Sequence, residues 1–135
     1  MERFQVTTDK VLGPSGRTQA SLSVKRYAHF SAGVFAGAID YTDDAPTSRG
    51  GFAAFRTRAD ERPRDLGAFT ALETRVKTDG RGYIFNLKCA GSGADLLWQV
   101  RLVAPPGVWT TLAFPFADMV LTRRGRVEAT QHAVE

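Results

Sequence analysis

The sequence predicts an all-β protein, a sandwich or barrel of short antiparallel strands. Three observations lead there. Apolar residues recur with a period of two along most of the chain, as on half-buried strands. Gly and Pro gather in short loops between the alternating runs. No long segment repeats apolar residues at spacings of three and four, which an amphipathic helix requires. Many short strands joined by regular turns point to a sandwich or barrel.

The strands follow in chain order. Phe35, Gly37, Ile39 and Tyr41 alternate with Val34, Ala36, Ala38 and Asp40. Leu72, Thr74 and Val76 alternate with Glu73, Arg75 and Lys77. Tyr83, Phe85, Leu87 and Cys89 alternate with Ile84, Asn86 and Lys88. Trp98, Val100 and Leu102 alternate with Gln99 and Arg101, which makes Trp98 core-facing. Thr110, Leu112, Phe114 and Phe116 form one face after Trp109. The loops are LGPSGR, DDAPTSRGG, ADERPRDLGA, TDGRG, AGSGAD, APPG and RRGR, and single helical turns are expected near RDLGAFTAL and FADMV. With no internal repeat and no dividing linker, residues 1–135 read as one domain.

The stretch TDGRG, residues 78–82, admits two readings: a phosphate-cradling loop or the end of a β-hairpin. A phosphate loop follows a strand and opens a helix. Here a strand-like run follows, so Asp79-Gly80 is expected to close a hairpin, with Gly80 free to take positive φ and Arg81 presented to a partner.

Composition bounds the function. The chain has 135 residues, 43% hydrophobic and 24% charged, as in an ordinary globular protein. A formal charge of +4 and a pI near 9.6 lean toward acidic partners such as nucleic acid, an anionic membrane surface or an acidic protein face. The single cysteine, Cys89, cannot form an internal disulfide and reads as a buried, inert thiol. No apolar run approaches the ~20 residues of a membrane-spanning helix. The N-terminal MERFQVTTDK resembles neither a signal peptide nor a transit segment.

Catalytic residues are sparse. His29, between Tyr27 and Phe30, and His132, in the terminal tail, offer no zinc-ligand spacing with Cys89. The acidic pairs Asp43-Asp44 and Asp60-Glu61 sit in turn-like segments and read as solvated acids. Arginine is the more informative residue. Arg56, Arg58, Arg62 and Arg64 interleave with acids, and Arg123, Arg124 and Arg126 cluster late in the chain. Its planar fork suits carboxylate and phosphate partners, although a solvated surface is the plainer reading of the same residues. Phe52 and Phe55 beside Arg56 and Arg58 are either a stacking platform for single-stranded nucleic acid or strand residues facing a core.

Six segments taken in order carry a resemblance: TTDKVLGPSGR, FAGAIDY, SRGGFAAFRTR, DLGAFTALETRVKTDGRGYIFNLK, LWQVRLVAPPGVWTTLAFPFADM and RRGR. Together, over about residues 4–126, they resemble the complex I intermediate-associated protein 30 domain family. The resemblance implies a galactose-binding-like β-sandwich of jelly-roll type. It also implies a non-enzymatic scaffold, assembly factor or accessory subunit of an organellar membrane complex, with no cofactor and no catalytic residue. The complex would be mitochondrial respiratory complex I or a chloroplast photosystem, and the protein peripheral to the membrane, with a targeting peptide not visible in this chain. RNA and carbohydrate binding are the alternatives, the latter through Trp98 or Trp109. Candidate partner contacts are Asp9, Lys10, Arg56, Arg58, Arg81, Arg123, Arg124 and Arg126.

Two departures from the family pattern stand out. Pro14 replaces a glycine of the opening motif and fixes φ there. The family domain also continues past Arg-Gly-Arg, whereas residues 127–135 read as a polar tail, so the last C-terminal strands are expected to be lacking. An open sheet edge would follow, which folded proteins avoid. The sequence is then incomplete, or a partner supplies a strand by β-augmentation, or the fold is trimmed.

Overall fold

The computed structural model describes residues 3–12, 17–40, 51–58, 64–90, 92–93, 95–132 and 134. These residues form an all-β, antiparallel architecture, as the alternation predicts. The loops around Pro14, Asp43-Asp44 and Asp60-Glu61, with Arg62, lie outside the described residues. Two compact units divide the chain, Met1–Arg62 and Pro63–Glu135.

In Met1–Arg62, strand β1 (Phe4–Thr8) pairs with β4 (Ala53–Thr57), and β2 (Gln19–Arg26) pairs with β3 (Ser31–Ala38). Arg58 N–H extends the first ladder by donating to Arg3 O at 2.9 Å. A 3₁₀ turn, Asp9–Leu12, follows β1, where the alternation gave no helical signal. It is anchored by tertiary bonds: Asp9 N–H donates to Phe52 O at 3.2 Å, and Asp9 Oδ2 accepts from Thr18 Oγ1 at 2.9 Å. Thr18 is fully buried, and its hydroxyl oxygen also accepts Asp40 N–H at 3.3 Å. A buried hydroxyl is tolerated because its bonding capacity is met. The strand pair β2–β3 keeps register over its full length, from Gln19↔Ala38 to Arg26↔Ser31.

The unit Pro63–Glu135 is a sandwich in its own right. One sheet has the order β10-β9-β7-β6, built from Arg126–Val127, Val120–Arg123, Leu96–Leu102 and Tyr83–Leu87. The other pairs β5 (Ala71–Val76) with β8 (Thr110–Pro115). Their facing residues make the core: Trp98 and Leu102 from β7, Phe114 from β8, Leu121 from β9, and Phe116 and Met119 beside them. Leu72, Val76, Phe85, Leu87, Val100 and Leu112 pack against this cluster. The Phe85 and Phe114 rings stack across it, centroids 5.8 Å apart and 14° from parallel. The alternation predicts this inward face residue by residue, because side-chain direction along a strand is a local property. Phe116–Asp118 forms the expected turn of helix. At RDLGAFTAL a tight turn forms instead, with Phe69 N–H donating to Leu66 O at 2.9 Å.

The topology corrects one expectation. TDGRG is not the end of a hairpin, because β5 pairs with β8 and β6 pairs with β7. The segment crosses from one sheet of this sandwich to the other. Gly80 does take positive φ, 87°. Its loop is closed by side chains rather than by a strand ladder. Thr78 Oγ1 accepts Gly80 N–H at 3.1 Å, and Asp79 Oδ1 accepts Arg81 N–H at 3.0 Å. Thr78 also bridges to the Pro106 segment, with Gly107 N–H donating to Thr78 O at 2.9 Å. Leu72 and Val76 on β5 and Phe85 and Leu87 on β6 all belong to the one core layer, which requires the two strands in opposite sheets.

The true tight hairpin of this unit is RRGR. Arg124 (φ 50°) and Gly125 (φ 78°) are both left-handed, as a two-residue type I′ turn needs between β9 and β10. The residues after it do not trail away. Glu128 N–H donates to Leu121 O at 3.0 Å, Trp98 Nε1 donates to His132 O at 2.9 Å, and Val134 packs on the core. Cys89 lies just past β6, half-buried against the same core, with a free thiol.

Candidate functional site

The candidate contact residues fall on separate surfaces. In Met1–Arg62 the β1–β4 ladder carries four of them at its two ends. Asp9 and Lys10 follow Thr8, which is opposite Ala53, whereas Arg56 and Arg58 lie where Gln5 and Arg3 pair with the far end of β4. Lys10 is exposed. Asp9 is half-buried and turned inward to Thr18, and its Oδ1 is buried without a hydrogen-bond partner. Arg56 is exposed and sits directly across from Gln5. Turned so that its oxygen faces Arg56, the Gln5 amide accepts from Nε and Nη2, both at 2.6 Å. Phe55 on the same strand is exposed and meets Phe4 edge-on at 6.0 Å and Phe35 at 5.1 Å.

In Pro63–Glu135 the arginines are largely paired within the unit. Arg124 Nε and Nη2 both reach Asp95 Oδ2 at 2.9 Å, and Arg124 N–H donates to Asp95 O. Arg123 Nε donates to Glu128 Oε1. Arg126 is exposed opposite Arg123 on the ladder, a like-charge cross-strand pair. The late arginine cluster is therefore in good part neutralised by acids that are distant in sequence, which spacing alone does not reveal.

Arg81 stands 80% exposed at the sheet crossing, with Nε 3.6 Å from Asp79 Oδ2. Asp79 organises this tip. Its Oδ1 also accepts the Tyr83 hydroxyl at 2.9 Å. The Arg81 backbone N–H, then the Tyr83 hydroxyl, hold the Asp79 carboxyl below its usual value. Burial, then the bond to Asp79, raises the Tyr83 phenol above its usual value.

The tryptophans offer no open platform. Trp98 is 6% exposed, with its indole N–H engaged by His132. Trp109 is half-buried, with the Arg75 guanidinium 5.7 Å from its ring centre. His29 lies in the β2–β3 turn and His132 in the terminal segment, both exposed. Among the described residues no three His, Cys, Asp or Glu side chains gather as metal ligands, and no helix is long and apolar enough to cross a membrane. The groove of about 250 Å³ in Pro63–Glu135 is floored by Leu66, Leu72 and Phe116 and rimmed by Phe69, Arg64 and Glu73.

Two arrangements are not evident from alternation or motif spacing. One is the aromatic and basic turn of the β2–β3 hairpin, where Tyr27 and Phe30 stack; its signal is the run KRYAHF between two alternating stretches. The other is Gln131, whose side-chain amide bonds the Leu121 backbone, a contact with no signature in spacing.

The family model described as complex I intermediate-associated protein 30 matches residues 1–135, the whole chain. The chain belongs to that family. The match runs beyond the quoted segments of residues 4–126 and takes in β10 and the residues after it. A search of curated proteins found no match. The family is associated with complex I, in assembly or as an accessory component.

Proposed function

We propose that the protein is a non-enzymatic scaffold that binds subunits of mitochondrial respiratory complex I, as an assembly factor or accessory subunit. It acts in the mitochondrion, peripheral to the membrane. The observation that carries this reading is the family match across the whole chain. The same match supports treating residues 1–135 as one functional domain, a galactose-binding-like sandwich. Arg56, Arg58, Arg81 and Arg126 are proposed as contacts, being exposed and placed at the ends or turns of strands. Lys10 joins those of Met1–Arg62, and Arg123 and Arg124 join those of Pro63–Glu135. Asp9 serves indirectly, by anchoring the 3₁₀ turn that displays Lys10.

Native-gel fractionation of source membranes, with mass spectrometry on the band that holds this chain, tests the reading. Co-migration with complex I subunits or assembly intermediates is expected. Migration as a free small protein, or with photosystem subunits in a photosynthetic source, overturns it.

A further inference from the structure

We propose that the tip of the β2–β3 hairpin is a membrane-surface contact that docks on an anionic phospholipid bilayer. The inference rests on the peripheral-membrane part of the function proposed above and adds the surface that makes the contact.

Charge is the first argument. The twenty residues Gln19–Ala38 contain no aspartate or glutamate. Their two cations sit together at one end, where Lys25 and Arg26 close β2 at the turn. Successive strand side chains point to opposite faces, so Lys25 and Arg26 flank the tip on both sides. An anionic bilayer attracts such flanking cations at close range.

Shape is the second. Tyr27 and Phe30 close the turn through Tyr27 N–H to Phe30 O at 2.8 Å. Their rings stack with centroids 4.6 Å apart and 14° from parallel, yet remain 38% and 44% exposed. Lys25 Nζ lies 5.4 Å from the Tyr27 ring centre. The tip thus presents a preformed aromatic head with a phenol and two cations around it. Interfacial aromatics and basic residues combine in this way at the boundary of headgroups and acyl chains. The strands below it are paired over eight residues each, an arm of roughly 25 Å that carries the head at its end.

Single-stranded nucleic acid is the competing ligand of a basic and aromatic surface, but base stacking uses open ring faces. Each of these rings already has one face against the other. That favours insertion of the pair as a unit.

The test is co-sedimentation of the full chain with vesicles of phosphatidylcholine alone and of phosphatidylcholine mixed with phosphatidylglycerol, at low salt. Binding to the anionic vesicles only is expected. Lys25→Gln/Arg26→Gln should weaken it about 25-fold, at roughly fivefold per cation. Tyr27→Ser/Phe30→Ser should weaken it at least about tenfold, through lost apolar insertion. Lys77→Glu, a charge change at an exposed residue elsewhere, should leave most of the binding intact. Far-ultraviolet circular dichroism and a thermal melt check that each variant folds, and the paired glutamine variant keeps the aromatic head as a second handle should the serine pair unfold. Failure of the parent chain to bind anionic vesicles overturns the proposal. So does equal binding by the tip variants, an equal loss in Lys77→Glu, or capture of a short single-stranded RNA in place of vesicles. Co-migration with complex I on a native gel is read separately, so loss of vesicle binding and loss of the complex I reading are distinct results.

Discussion

The side-chain amide of Gln131 completes the hydrogen bonding of Leu121 at the rim of the larger sheet. Gln131 Oε1 accepts Leu121 N–H at 2.7 Å, and Gln131 Nε2 donates to Leu121 O at 3.1 Å. Nε2 also donates to Glu128 O at 2.7 Å. Leu121 is 2% exposed, so its backbone groups have little access to water. Strand β10 is only two residues long, and past Val127 the glutamine amide stands in for the peptide group of a further strand residue. This is one way to close an edge without a longer strand.

Gln131→Ala should therefore destabilise the fold by about 1–3 kcal/mol, the cost of a buried N–H left without a partner. Urea unfolding gives the midpoints, and an unchanged midpoint in Gln131→Ala would show that the rim is held by other contacts.

Trp98 ties the terminal segment to the core from the other side. Trp98→Phe keeps an aromatic ring in the core but loses the bond to His132 O and part of the indole packing, so a cost of at least about 1–2 kcal/mol is expected. Trp98→Ala also opens a cavity in the central cluster and should cost about 3–5 kcal/mol. Hydrogen exchange localises the first effect: protection should fall around residues 128–134 in Trp98→Phe while the amides of β7 stay protected.

The Asp79–Tyr83 pair makes a titration prediction. The Asp79 carboxyl is lowered, so the stability it contributes is present above its ordinary value of 3.8 and lost as pH falls through the lowered folded value. The Tyr83 phenol is raised, so its contribution is present below 10.0 and lost as pH rises through the raised folded value. In Asp79→Asn the tyrosine should titrate closer to 10.0, but not fully there, because burial is the larger cause of its shift. Ultraviolet titration of the tyrosinate reads this directly, with Tyr83→Phe identifying the signal. A titration curve unmoved by Asp79→Asn would mean that the hydrogen bond has no influence on the phenol.

The RRGR turn predicts an unusual order of tolerance at one site. Arg124 sits at φ 50°, where a β-branched side chain is strained. Arg124→Val should cost more than about 1 kcal/mol. Arg124→Asn adopts the left-handed region readily and should be near neutral, because the exposed ion pair to Asp95 that it removes is worth less than about 1 kcal/mol. Thermal melts of the two variants check the order.

Side-chain alternation is a local property, and for that reason the sequence by itself determined the all-β class, the strands β5 to β8 and their inward faces. Trp98, Leu102, Phe114 and Phe116 are buried where a period of two puts them. The ordered motifs likewise identified the family. Partnering is not local. The Asp-Gly pair in TDGRG specifies a turn at Gly80, but the pairing of β5 with β8 depends on a core that spans both sheets of the sandwich. The candidate surface divides the same way. Arginine content was legible as a basic lean, whereas the engagement of Arg124 by Asp95 joins residues 29 positions apart. Only the tertiary structure decided that, as it decided the docking of Gln131 on Leu121 and the stacking of Tyr27 on Phe30. Each depends on where the folded backbone brings a side chain, and no spacing rule along the chain encodes that position.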